Sequence, residues 1–580
     1  MKDEKESQIY KIRHSLAHLL AIEVLKFDSN AKLTIGPVIE NGFYYDVDFG
    51  EGKIPTEKDL KEFQKGIKKS TNKNLTFIKE DISPEDAKKI FAENPYKIEL
   101  INDLVNTGEK LSIYKTGDFV DLCSGPHIKD TSEINTDAFK ITNIAGAYWR
   151  GNEKNKMLTR IYGVAFETKE ELEEYEKRLV EAAQRDHRKI GKEMNLFTFS
   201  DLVGSGLPMF TPKGMAMRTA IVKKIGEIQE RFGFQEVWIP HITKPDLYKT
   251  SGHWDKFGDE LFKVKGRENE FVMKPMNCPH HTQIFASSPK SYKDLPVRYS
   301  ETTTVYRDEQ AGELLGLSRV RSLTQDDGHT FCTPDQIEAE IKNIISVMKE
   351  FYTSLELWSE GKYQVFLSVR DSKNKEKYLG DDAVWEKAEN VLRKIADDEK
   401  LPVIMDEGGA AFYGPKLDFK FKDSIGRIWQ LATVQLDFNM PARFKLEYTD
   451  KDGQKKTPVM IHRAIAGSLE RFLSVIIEHF AGNFPFWMAP VQIKIIPVAE
   501  NHNSKAEELF AELKKKNIRV ELDSSSDGFG KKIRKAKVEK VPYFVIIGDK
   551  EISENKFTLE SRDSGNLGMF SDKELLDKLK

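Results

Sequence analysis

A chain of 580 residues exceeds what one hydrophobic core can organise, roughly 250 to 300 residues, so three or four domains are expected. Hydrophobic residues at 39% and charged residues at 32% exclude a collagenous or disordered chain, and a net charge of -3 leaves a nucleic-acid partner open, because the placement of basic residues decides that. Three cysteines, an odd number spread along the chain, argue against a disulfide framework; with no signal-peptide core and no apolar run near the ~18 residues that span a bilayer, the sequence reads as cytoplasmic, with no membrane segment.

The first segment places a helical pattern over residues 10–27, then a turn at Asn41-Gly42 inside Gly36-Pro-Val-Ile-Glu-Asn-Gly-Phe-Tyr-Tyr-Asp46. Mixed α+β structure is expected over residues 1–165. Thr168-Lys-Glu-Glu171 has capping-box spacing and opens a charged helical run to about Lys192, read as a linker over 166–194. Residues 195–486 alternate amphipathic helices with strands rich in Val, Ile, Thr and aromatics, as one large domain. The tail, 487–580, alternates strands and helices (491–498, 504–515, 518–523, 531–540, 543–547), a small α/β domain with βαβ units.

Two constellations carry chemistry. His14 and His18 stand at i, i+4 and so share a helix face, and Asp121-Leu-Cys-Ser-Gly-Pro-His127 adds Cys123 and His127. Three imidazoles and a thiol suit a closed structural zinc site, or else packed core residues. In the central region Cys278, His329 and His462 make a three-ligand set of the kind that leaves a coordination position open, although a lone buried histidine is more often packing.

The surrounding motifs resemble class II aminoacyl-tRNA synthetases, and in particular the bacterial-type threonyl-tRNA synthetases. Motif 1 is similar to Phe234-Gln-Glu-Val-Trp-Ile-Pro240, motif 2 to Tyr306-Arg-Asp-Glu309 with the loop 310–317 and 318–327, and motif 3 to Gly467-Ser-Leu-Glu-Arg471. The N-terminal HxxxH and CxxxH pairs, with Gly36 to Asp46 and Arg150-Gly-Asn-Glu-Lys-Asn-Lys-Met-Leu158, resemble the family's editing domain. The sequence begins there, without the small ubiquitin-like domain that most bacterial members carry. The resemblance implies an α+β multidomain fold: a class II antiparallel-sheet catalytic core, an N-terminal α+β editing domain and a C-terminal α/β anticodon-binding domain. It also implies a homodimer with motif 1 at the interface.

Roles follow by the same resemblance. Arg307 bridges the ATP α-phosphate and the threonine carboxylate, Glu309 orients the adenine, and Arg471 meets the far end of the triphosphate and the base. Arg319 and Lys416 add positive charge, and Mg2+ accompanies ATP. Arg321 and Arg463 are read instead as surface or interface ion pairs. Met276, Gln325, Asp327, Tyr413, Gln430 and Ser468 surround the substrates, and His253 lies near the terminal ribose of tRNA during transfer. Zinc, one ion per chain on Cys278, His329 and His462, answers a specificity problem: valine has threonine's shape without its hydroxyl, and an apolar pocket rejects such an isostere only ~100-fold. Serine keeps the hydroxyl and lacks only a methyl, worth roughly 1 to 3 kcal/mol, so an editing site is required. The family's editing cluster, here His14, His18, Lys97, Asp121, Cys123 and His127, hydrolyses seryl-tRNA without a bound metal.

In the tail, Gly528-Phe-Gly-Lys-Lys-Ile-Arg-Lys-Ala-Lys537 gives a basic helix suited to phosphates, and Glu551 matches a position that reads an anticodon base. The strand after it departs from the family's pair of arginines: Glu560 stands where one arginine is usual, which implies a weaker or different grip on tRNA.

Overall fold

A computed structural model of the protein describes residues 7–579. The chain divides into two compact units, Met1–Val180 and Glu181–Lys580. Among the described residues no helix is long and apolar enough to cross a membrane.

In the first unit, helix Gln8–Phe27 starts at Ser7, whose Oγ accepts the Tyr10 amide at 3.3 Å. Leu16, Leu19, Leu20 and Val24 recur at helical spacing and bury themselves with Phe43, Tyr45 and Val47 of strand Gly42–Asp48. That strand pairs with Met157–Ala165, which pairs with Phe139–Tyr148, all antiparallel. A separate three-stranded sheet, Ile78–Asp81, Ser112–Thr116 and Phe119–Leu122, leads into the loop that carries Cys123 and His127.

The predicted capping box at Thr168 is formed: Glu171 N donates to Thr168 Oγ1 at 3.2 Å and Thr168 N to Glu171 Oε2 at 3.3 Å, opening helix Lys169–Arg185. The charged run does not continue as one helix to Lys192. Asp186 accepts the Arg188 amide at 2.8 Å and caps a second helix, His187–Glu193.

The second unit is organised by an eight-stranded sheet. Its spatial order is Gln235–Glu236, Val297–Tyr306, Ser322–Cys332, Val459–Ser468, Ile428–Asp437, Lys416–Lys422, Tyr363–Val369 and Val403–Glu407. The six central strands are antiparallel and the two edge strands pair in parallel. Helices Ile337–Thr353 and Leu469–Phe480 cover one face, where Ile341, Ile344, Phe351, Phe472 and Ile476 join Val434 and Ile461 in a single buried cluster.

A register shift between strands Ser322–Cys332 and Val459–Ser468 shapes this sheet. Asp326 faces Gly467 and Gly328 faces Arg463, so Ala464, Ile465 and Ala466 bulge out of register. Asp326 fills the gap: Oδ2 accepts the Ile465 and Ala466 amides at 2.8 and 3.1 Å, and Oδ1 accepts Arg463 at 2.9 Å and Gln229 at 2.9 Å. Arg463 is therefore not a surface or interface residue but half of a fully buried ion pair. Removing one partner strands the other charge in the core, so Asp326→Ala should lower the stability of this unit by about 3 to 5 kcal/mol, read as a fall in its urea midpoint. Arg321 is an ion pair as read, 3.3 Å from Asp308.

The tail forms the predicted β-α-β-α-β run, with Val520–Leu522 and Tyr543–Ile547 flanking Ile493–Pro497 in parallel. Two antiparallel strands, Phe557–Ser561 and Gly565–Phe570, extend the sheet beyond the elements predicted for it.

Candidate active site

The central constellation assembles through strand register. His329 and His462 are direct cross-strand partners, so both imidazoles leave the same face. Cys278 is the first residue of helix Cys278–Ala286, and its Sγ, with one ring nitrogen from each histidine, lies within 4.8 Å of the other ligand atoms. Tetrahedral zinc ligands stand roughly 3.3 to 3.8 Å apart, so a small contraction would close this set on an ion. All three are buried. Burial, with Asp327 and Asp437 adding to it, pushes the Cys278 thiol well up, and burial holds His329 well below its ordinary value, which favours the neutral form of both. A metal replaces the thiol proton.

Outer partners orient the ligands. Asp437 Oδ2 accepts from His462 Nε2 at 2.9 Å, leaving Nδ1 for a metal. His329 Nδ1 lies 2.7 Å from His281 Nδ1, and His281 Nε2 is 3.4 Å from Glu301, which also accepts the Ile239 amide at 2.9 Å. Such outer carboxylates and rings fix tautomer and ring angle. Asp437 and His281 were not singled out from sequence, where only their position at a strand end or within Met276-Asn-Cys-Pro-His-His281 was available.

On the same side of the sheet opens a cleft of about 840 Å³, lined by Arg307, Glu309, Arg319, Gln325, Gln430, Ser468 and Arg471 among others. Arg307 and Arg471 make no ion pair there among the described residues. Arg307 Nε is buried without a hydrogen-bond partner, its NH2 rests 3.2 Å from Met276 Sδ, and the guanidinium lies over Phe257. Burial, the largest cause in each case, lowers both guanidinium values. Two desolvated cations with no carboxylate in ion-pair contact suit an anion, although Glu309 and Glu260 lie close enough to act on Arg307. Arg319 is paired with Glu309 and Glu313, and Lys416 with Asp418 at 2.6 Å.

The remaining substrate candidates divide. Gln430 and Ser468 line the cleft, although Gln430 donates to Asp418 at 2.8 Å and Ser468 caps the helix that carries Arg471. Asp327, two residues from His329, accepts from Asn277 at 3.0 Å. Tyr413 stacks on the His462 ring and donates to Gln435 at 2.5 Å, a cleft residue that sequence reading missed. His253 reaches the metal ligands, with Nε2 3.7 Å from Cys278 Sγ and Nδ1 2.8 Å from Ser251 Oγ. Burial, then His462 and Arg307, push it down to about 3, so it stays neutral and is only a weak base.

In the first unit, His14, His18, Cys123 and His127 also gather, with ligand atoms within 4.8 Å of one another. His14 Nδ1 donates to the Pro126 carbonyl at 3.1 Å; Ser15 Oγ gives its hydrogen to Lys11 O and so accepts from His127 Nδ1 at 3.0 Å. Both rings therefore turn an Nε2 lone pair toward Cys123 Sγ, each at 3.3 Å. Burial pushes this thiol up to about 12. Behind the rings, Asp121 binds Lys97 and the Tyr45 hydroxyl, each at 2.5 Å, and stands 3.8 Å from His18 Nε2.

Burial, then His14 and Lys97, hold His18 neutral, and burial, then His18 and His14, do the same for His127, both far below the ordinary 6.5. In the unfolded chain these rings protonate near 6.5, so below that pH the unfolded state binds more protons and stability falls as pH falls. The expected loss is up to about 1.4 kcal/mol per pH unit per ring, seen as reduced hydrogen-exchange protection of helix Gln8–Phe27 between about pH 7 and about pH 5.5.

In the tail, the Glu551 carboxylate is engaged: Oε2 accepts the Gly548 amide at 2.9 Å and Oε1 the Thr558 hydroxyl at 2.6 Å. Arg562, on the turn after the strand that carries Glu560, donates to the carbonyls of Phe484 and Lys540. Helix Phe529–Val538 exposes Lys531, Arg534, Lys535 and Lys537, while Lys532 is buried and donates to Pro497 O.

The antiparallel sheet with its cleft belongs to a class II aminoacyl-tRNA synthetase core, because residues 262–480 match the tRNA synthetase class II core domain (G, H, P, S and T). Residues 492–580 match an anticodon binding domain, and residues 111–162 the threonyl and alanyl tRNA synthetase second additional domain. A threonine–tRNA ligase of Gloeobacter violaceus is 46% identical over 574 residues, 97% of this chain and 90% of that protein. Another, from Thermosynechococcus vestitus, is 44% identical over 588 residues, 100% of this chain and 96% of that protein. The chain belongs to the threonine–tRNA ligase family. Among solved structures, the RNA binding domain of threonyl-tRNA synthetase from Cryptosporidium parvum matches at a TM-score of 0.64 and 35% identity, covering 68% of this chain and 97% of that one.

Proposed function

We propose that the chain activates L-threonine with ATP, transfers it to the threonine tRNA and hydrolyses mischarged seryl-tRNA, working as a cytoplasmic homodimer. The observation that carries this reading is the buried Cys278, His329 and His462 set beside the paired-off carboxylates and bare guanidiniums of the cleft. A zinc ion held by those three residues would supply a Lewis-acidic position for the amino group and hydroxyl of threonine. Arg307 binds the α-phosphate and the amino-acid carboxylate together, which brings nucleophile and phosphorus into line. Arg471, across the cleft, takes the far phosphates, and Mg2+ enters with ATP. Glu309 orients the adenine once Arg319 is drawn from it toward the nucleotide.

In transfer, the neutral His253 ring lies near the terminal ribose of tRNA and positions its hydroxyl by hydrogen bonding. In editing, the His14 and His127 lone pairs accept hydrogens from water and position it for attack on the seryl ester, while the buried Lys97 and Asp121 pair fixes His18. The division into an editing domain over 1–165, a linker over 166–194, a catalytic domain over 195–486 and an anticodon-binding domain over 487–580 belongs to this reading. So does anticodon contact by Glu551, which would first have to leave its bond to Thr558. The test is pyrophosphate exchange with each amino acid in turn: threonine should support it, and exchange driven by proline or serine alone would sink the reading.

A further inference from the structure

Outside the cleft, Asp186, His187 and Glu478 form a third cluster of close ligand atoms. It is already saturated. His187 Nδ1 and its own backbone amide meet Glu478 Oε1 at 2.6 and 3.1 Å, and Arg427 holds Glu478 Oε2 at 2.5 Å. A carboxylate bound by a guanidinium only accepts, so His187 Nδ1 carries the hydrogen and Nε2 presents a lone pair. That lone pair accepts the Leu317 amide at 3.0 Å. With both ring nitrogens and both carboxylate oxygens occupied, the cluster has no donors for a metal.

Leu317 closes the loop 310–317 and is fully buried in the main core. Beside it the loop folds on itself: Leu315 N donates to Arg319 O at 3.2 Å and Ser318 N to Leu315 O at 2.9 Å. Arg319 in turn holds Glu309 and Glu313. Gly316 lets His187 approach: φ is +49°, and a methyl there would lie 2.3 Å from Nε2. The imidazole thus touches the loop at its inner end, two residues before a guanidinium that lines the cleft.

We propose that His187 is a positioning residue for ATP: through the Leu317 amide, braced by Glu478 and Arg427, it sets the depth at which the loop presents Glu309 and Arg319. This rests on the ATP-binding reading above. His187→Asn keeps an amide nitrogen where Nδ1 stands but falls short of Leu317, whereas His187→Gln puts an amide oxygen near the Nε2 position. In threonine-dependent pyrophosphate exchange on the full chain, His187→Asn should raise KM for ATP about tenfold, with KM for threonine within about twofold of the parent, and His187→Gln should recover most of the loss. An unchanged KM for ATP in His187→Asn overturns the proposal, as does an equal loss in both variants that follows their melting temperatures. Should His187→Asn not fold, Gly316→Ala attacks the same bond from the loop side and must raise the same KM; if it does not, the proposal falls. Absence of threonine-dependent exchange in the parent would instead overturn the functional reading itself.

Discussion

Cys278→Ser should release the metal and reduce threonine-dependent pyrophosphate exchange on the order of 10³-fold, with little change in folding. The alcohol is a poor zinc ligand, and Cys278 is 0% exposed, with His253, 3.7 Å from its Sγ, tied to Ser251. Asp437→Asn is the graded companion. It leaves all three ligands and weakens only the bond that turns His462, so zinc affinity should fall about 10- to 100-fold. Metal analysis alongside the kinetics decides the assignment. One zinc per parent chain and none in Cys278→Ser supports it; full exchange by a zinc-free variant ends it. Two zincs per parent chain would put a structural ion on His14, His18, Cys123 and His127.

The candidate sites were legible in the sequence mainly through motifs that resemble class II synthetases; residue spacing added which side chains share a face. Gln325, Asp327 and His329 alternate along strand Ser322–Cys332, and His14 and His18 are one helical turn apart in Gln8–Phe27. What period alone leaves open is register between strands. That His329 faces His462, 133 positions further along, follows from the pairing of two strands, and so does the three-residue bulge that makes Asp326 and Arg463 necessary to each other. The same gap hid the outer partners. Asp437 ends an ordinary apolar strand and His187 opens a short basic helix, and neither has a motif of its own. In the tail the departure at Glu560 has a structural counterpart: Arg562 is spent on backbone carbonyls, so that strand offers tRNA no free guanidinium from it.

The double variant His14→Ala, His18→Ala should charge tRNA with threonine at the parent rate yet accumulate seryl-tRNA, with hydrolysis of added seryl-tRNA falling at least ~100-fold. The asymmetry follows from where each discrimination can be made. A zinc held by Cys278, His329 and His462 would recognise the hydroxyl that serine shares, and the missing methyl is worth only roughly 1 to 3 kcal/mol, so serine activation is expected at about 0.5 to 10 per cent of threonine activation. Correction then rests on the N-terminal cluster. His14 aims Nε2 at Cys123 because its Nδ1 is bound to Pro126 O, and His18 packs on the buried Asp121 and Lys97 pair. Removing both rings deletes a proton acceptor and unseats the carboxylate behind it. A variant that charges threonine normally and still clears seryl-tRNA would show that these imidazoles are structural. Rescue of hydrolysis by added zinc would instead show that the cluster works through a metal.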